Sequence, residues 1–138
     1  MQVQPYLNFD GRCEEALTFY RTALGAEVTM LTRFGDYPGP ADPRMTAPKE
    51  KVMHARFRVG NTVLLASDGR CTGQPGFQGI SLSLTVADSA EANRYFTALA
   101  DGGQVQMPLA KTFFSPAFGM VADRFGVSWM VYVVPQTE

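Results

Sequence analysis

Tyr20-Arg21-Thr22-Ala23-Leu24 and Tyr95-Phe96-Thr97-Ala98-Leu99 are near-copies of one short segment in a chain of 138 residues. Downstream of each comes a second matching pair, Val59-Gly60-Asn61-Thr62-Val63-Leu64-Leu65 and Phe125-Gly126-Val127-Ser128-Trp129-Met130-Val131. Motifs that recur in the same order mark an internal duplication of roughly 65 residues per copy, and two copies are too few for a solenoid. They read as a pseudo-twofold pair.

Around the first copy, Ala16, Leu17, Tyr20, Ala23 and Leu24 fall on one helical stripe. Asp10 or Gly11 reads as the N-cap, Glu14 and Glu15 suit the positive end of the dipole, and Gly25 reads as the residue that closes the helix. Cys13 then reads as a small apolar residue at a helix start rather than a reactive thiol. Around the second copy, Ala92, Tyr95, Phe96 and Leu99 make the stripe, Asp88 and Glu91 resemble a capping box, and Gly102-Gly103 ends the helix.

The flanking segments read as strands: QVQPYLNF (2–9), EVTMLTRF (27–34), then VMHARFRVG and NTVLLASD turning at Gly60-Asn61. In the second half they are ISLSLTV, QVQMPLAKTF, FGMVADRF and GVSWMVYVV. Each half is therefore β-α-β-β-β. Residues 35–51 hold Pro38, Pro40, Pro43 and Pro48 with no period, which predicts a long functional loop. Residues 70–79 read as a linker. The expected layout is a first module at 1–69, the linker, and a second module at 80–138, all in one structural domain.

Apolar residues make up 46% of the chain and charged residues 18%, enough for a packed core. Twelve Lys and Arg face thirteen Asp and Glu. Such a balance attracts neither nucleic acid nor an anionic membrane, and no apolar run is long enough to span a bilayer. The start, MQVQPYLNFDGR, lacks the basic and apolar regions of a signal peptide. Cys13 and Cys71 are widely separated. A reduced, cytoplasmic protein is expected.

PYLNF, FYRTALGAE, the Pro-rich loop, HARFRVG, KTFFSPAFG and DRFGVSWMV, together with the β-α-β-β-β duplication, resemble the vicinal-oxygen-chelate superfamily. That superfamily includes glyoxalase I, extradiol dioxygenases and bleomycin-resistance proteins. Within it the chain is similar to the PhnB-like branch, also called demethylubiquinone methyltransferase-like. The resemblance implies an α+β fold whose two tandem modules have mixed sheets forming a cleft, and a homodimer. No GxGxG-type loop follows a strand to cradle a nucleotide-bearing cofactor.

Strand alternation sorts side chains into two faces. Val3, Leu7 and Phe9, then Met53, Ala55, Phe57 and Val59, then Leu82, Leu84 and Val86, and finally Val127, Trp129, Val131 and Val133 are the expected packing sets. Their alternates include Gln4, Tyr6, His54, Arg56, Arg58, Ser81, Met130 and Tyr132. By the resemblance, these line the cleft. It also implies metal-ligand positions near Gln4, His54, Ser81 and Met130. Only His54, the one histidine, is a good first-row metal ligand among them, so no metal is expected. His54 is then either a polar group on a wet strand face or a general base, helped by Arg56 or Arg58. Phe113, Phe114 and Phe118 read as core or as the aromatic wall of a ligand pocket completed by Tyr6, Phe34 and Met130. Asp123 and Gly126 have the spacing of a type I turn.

The expected function is binding of a small, mostly apolar molecule, with or without metal-independent catalysis. The alternatives are a metal-dependent lyase, isomerase or dioxygenase, and a drug-sequestering resistance protein.

Overall fold

The computed structural model describes residues 1–36, 47–69, 71 and 75–135. The chain falls into two compact units, Met1–Gly76 and Phe77–Glu138. The first holds β1 (Tyr6–Asn8), α1 (Cys13–Leu24), β2 (Glu27–Arg33), β3 (Val52–Val59) and β4 (Thr62–Ser67). The second holds β5 (Ser81–Val86), α2 (Ser89–Ala100), β6 (Gln104–Ala110), β7 (Phe118–Ala122) and β8 (Ser128–Val133). The sheet orders are β1-β4-β3-β2 and β5-β8-β7-β6, the same topology twice. In each sheet the first strand pairs parallel with the last and the other pairs are antiparallel. This is the α+β arrangement of two tandem mixed-sheet modules that the duplication predicts.

Each helix buries its stripe on one face of its sheet. In the first unit Ala16, Leu17, Tyr20, Ala23 and Leu24 are all buried, against Leu7, Ala55, Phe57, Leu64 and Ala66. Tyr20 stacks on Phe57 with ring centroids 5.9 Å apart. Each such large side chain contributes about 1.5–3 kcal/mol by leaving water. In the second unit Ala92, Phe96 and Leu99 pack with Val121, Trp129, Val131 and Val133, while Tyr95 is half-buried under the Arg94 guanidinium. Gly119 makes this packing possible: a Cβ there would lie 2.7 Å from the Phe96 ring and 2.9 Å from the Leu109 Cα.

Several details depart from the sequence reading. The first strand is only three residues long, and Val3 is 94% exposed rather than packed. Phe34 leaves β2 for a 3₁₀ turn over Phe34–Asp36. Neither Asp10 nor Gly11 caps α1. Asp10 adopts a positive φ of 52°, and the N-cap position falls on Arg12, whose side chain makes no cap hydrogen bond. Asp68, just past β4, supplies the cap from across the sheet. Its Oδ1 accepts the Gly11 and Cys13 amides, and its Oδ2 accepts the Val52 amide at 2.7 Å. The second helix is capped locally as expected: Asp88 Oδ1 accepts the Glu91 amide at 2.8 Å.

The packing set of β3 also shifts. Val52 is buried and Met53 is half-exposed, the reverse of simple alternation. Thr32 pairs with His54 but Arg33 with Val52, so Met53 is an extra residue in the ladder. The other neighbour agrees: Ala55 pairs with Ala66, while the Asp68 amide bonds to the Val52 carbonyl. Such a bulge inverts the pleat on one side of itself.

The base of the expected long loop is zipped, with the Phe34 amide donating to the Lys51 carbonyl and the Gly35 amide to that of Lys49. The middle of that loop (37–46) and part of the expected linker (70 and 72–74) lie outside the described residues.

Candidate functional site

The face of each sheet turned away from its helix carries the candidate residues. In the first sheet the registers set Tyr6, Leu65, Arg56 and Met30 in one row across four strands. His54 and Thr32 stand in the next row. The Tyr6 hydroxyl and His54 Nδ1 are 3.1 Å apart, and their rings lie 5.6 Å apart at 35°. Of the expected site residues, Tyr6, His54 and Arg56 are thus brought onto one face. Gln4 is half-buried ahead of β1, and Phe34 stands on the 3₁₀ turn. Arg58 pairs with Glu27 at 2.6 Å.

In the second unit, Phe114 packs edge-on against both Phe113 and Phe118 and stacks on Tyr132 at 6.2 Å and 21°. Phe113 is 100% exposed and Phe114 38%. Of the two readings of this segment, the core reading fails for these two rings. Ser115, at 3% exposure, fixes the turn that presents them. Its hydroxyl bonds to the Ala117 and Val133 carbonyls, and its carbonyl accepts the Thr112 amide. Met130 pairs with Met120 and Ser83 on the same open face as Tyr132. Tyr132 was expected only as a cleft-lining alternate of Met130, and Met120 was missing from the expected site. The alternation that exposes Met130 also exposes Tyr132, and in β7 Met120 follows Phe118 at the same period.

Asp123 is structural, as its spacing indicates. Its backbone carbonyl accepts the Gly126 amide, and its carboxylate accepts the Phe125 and Val127 amides and the Trp129 indole N–H at 2.9 Å. Cys13 is fully buried, and burial together with the neighbouring Asp68 carboxylate pushes its thiol pKa far up, so it is an inert packing residue.

Two mixed four-stranded sheets of this topology, each carrying one helix, define the glyoxalase/bleomycin-resistance fold. A glyoxalase-related enzyme from Fulvimarina pelagi shares that fold, at a TM-score of 0.62 and 20% identity over 98% of this chain and 89% of the other. A family model described as 3-demethylubiquinone-9 3-methyltransferase matches residues 1–132, and the chain belongs to that family, the PhnB-like branch of the glyoxalase superfamily. Protein YjdN of Escherichia coli K12 is 34% identical over 143 residues, covering 99% of this chain and 97% of that protein. The crystal structure of protein PA1353 from Pseudomonas aeruginosa is 48% identical, with a TM-score of 0.83 and 99% of each chain covered. A PhnB protein from Bacillus cereus is 26% identical, with a TM-score of 0.80, covering 97% of this chain and all of the other.

The metal that the superfamily resemblance implies does not fit the residues at the implied positions. A metal of the superfamily kind would need donors at Gln4, His54, Ser81 and Met130, which offer an amide, an imidazole, a hydroxyl and a thioether. That set suits no first-row divalent ion. Among the described residues no group of three or more His, Cys, Asp or Glu converges elsewhere. At the two helix starts the chain's own carboxylates accept backbone amides, Asp68 those of Gly11 and Cys13 and Asp88 that of Glu91.

Proposed function

We propose that this protein binds a small, mostly apolar molecule, without a resident metal, on the aromatic and thioether-rich open face of its second unit. The observation that carries the reading is the ring cluster Phe113, Phe114, Phe118 and Tyr132, two of whose members stand substantially in water. Exposed apolar side chains grouped on one rigid face mark a binding surface, and sites for small molecules are mostly apolar with few polar groups. Met120 and Met130 extend the surface with adaptable thioethers. His54, held by Tyr6, is the candidate hydrogen-bonding group or general base. The protein works as a cytoplasmic homodimer, the commonest symmetric assembly.

The test is a thermal-shift screen of neutral aromatic compounds, with 2-naphthol as the first probe. A binder stabilises the fold by mass action. Phe114→Ala should weaken binding by about tenfold, the order expected for losing one well-placed aromatic contact. Unchanged affinity in that variant would place the ligand elsewhere. Elemental analysis should find no stoichiometric transition metal, and sedimentation at micromolar concentration should give a dimer mass. One metal per chain, lost in His54→Ala, or a monomer mass would contradict those parts of the reading.

A further inference from the structure

We propose that the open face of the first sheet is an oxyanion site, centred on the Arg56 guanidinium and Nε2 of His54, that takes the carboxylate or phosphate group of a small ligand. The inference rests on the small-molecule reading above and names the chemical class of ligand that the first unit takes. It starts from the charges on that face. Among the described residues its only carboxylate is Glu27, which is committed to Arg58 at 2.6 Å. Arg56 has no ion-pair or hydrogen-bond partner for its side chain among the described residues. A guanidinium whose neighbours leave it unpaired presents a planar fork of donors that matches a two-oxygen anion.

The second contributor is oriented by Tyr6. A phenol hydroxyl donates to an imidazole nitrogen more readily than it accepts from one. With the Tyr6 hydroxyl as donor, the 3.1 Å contact takes the Nδ1 lone pair and leaves the ring proton on Nε2. Nε2 has no partner among the described residues, so it is a donor available to a ligand. His54 and Arg56 are two residues apart on one strand face, so their Cα atoms are about 6.5–7 Å apart, a span that one carboxylate or phosphate can bridge through these two side chains. Leu65 and Met30, on either side of Arg56 in its row, offer apolar contact to the carbon skeleton of such a ligand. The bulge at Met53 matters here. Beyond it the pleat inverts, and His54 keeps the phase of Arg56 while Val52 turns into the core.

The experiment uses the full chain with ¹⁵N label, titrated separately with sodium acetate and with inorganic phosphate at constant ionic strength. The His54 ring nitrogens and the Arg56 Nε are the signals read. Saturable shifts of both are expected, and the tighter of the two anions identifies the group as carboxylate or phosphate. Arg56→Met, an exposed substitution that leaves the core intact, should weaken binding by at least about fivefold, while Arg21→Gln, a surface control on α1, should not. No saturable shift at His54 and Arg56 with either anion overturns the site, as does binding that Arg56→Met leaves unchanged. Failure of the aromatic reading is a separate result: 2-naphthol binding indifferent to Phe114→Ala, with the anion titration intact.

Discussion

Arg56 in the first sheet and Met120 in the second occupy equivalent places. The Asp68 amide bonds to the Val52 carbonyl as the Val133 amide bonds to that of Ala117, and counting along the ladders from these marks, past the Met53 bulge, aligns the two modules. His54 then matches Phe118, Arg58 matches Ala122, Leu65 matches Met130 and Tyr6 matches Ser83. One open face is charged and hydrogen-bonding; the other has rings, thioethers and hydroxyls. The helix-facing positions, by contrast, stay apolar in both. A duplicated frame fixes where side chains stand, and the buried face constrains its copies far more than the open face does. The open faces were free to diverge, and they did so in charge.

The two modules also differ in how a buried carboxylate pins them. Asp68 lies after the end of β4 and gathers the start of α1 and the start of β3. Asp123 lies before β8, the equivalent strand, and gathers its hairpin and Trp129. Replacing either with Ala strands three donors, two of them buried for Asp68 and all three for Asp123, and each loss should cost about 3–5 kcal/mol. Urea denaturation followed by far-UV circular dichroism measures it. A cost under about 1 kcal/mol for Asp68→Ala would show that the cap comes from elsewhere.

Ala55 and Gly119 form the next matched pair. Gly119→Ala should destabilise by about 1–3 kcal/mol, because its methyl meets the Phe96 ring and the Leu109 backbone. Ala55→Gly should cost about 1 kcal/mol through strand entropy and lost packing. Equal and negligible effects would mean that the Phe96 ring and the Leu109 backbone do not close the space at Gly119.

The smallest effect belongs to an exposed pair. Arg33 beside Glu14 holds that carboxyl below its usual range, chiefly through their hydrogen bond. A lowered folded-state pKa stabilises above the ordinary value of 4.5 and loses that contribution as pH falls through the lowered one. Glu14→Gln should therefore cost under about 1 kcal/mol at neutral pH. That difference should shrink in acid, below the usual carboxylate range.

Both helices, their stripes and the βαβββ repeat were legible because 3.6-residue periodicity and near-identical motifs survive in the chain. The bulge was not, because one extra residue in β3 changes no pattern visible before its partners are known. Asp68 as a cap was hidden for a related reason: it acts across 55 residues of sequence on the Cys13 amide. Aligning the repeats on Gly60 and Gly126 sets Leu65 against Val131. The registers set Ala66 there, because Gly126 stands two residues before Ser128 whereas Gly60 stands three before Val63, the equivalent position. The aromatic patch was legible as residues, but its exposure was not, since Phe113 and Phe114 are as compatible with core as with surface.

Methionine methyl groups report on the binding face directly, since Met120 and Met130 stand beside Phe118 and Tyr132 on the open face of the second sheet. The decisive measurement is a ¹³C-methyl NMR titration of the full chain with 2-naphthol, in the native protein and in Phe114→Ala. Saturable shifts of Met120 and Met130 that weaken in the variant are expected. Saturation of the protein with both methyl signals unmoved would contradict an apolar binding face on the second unit.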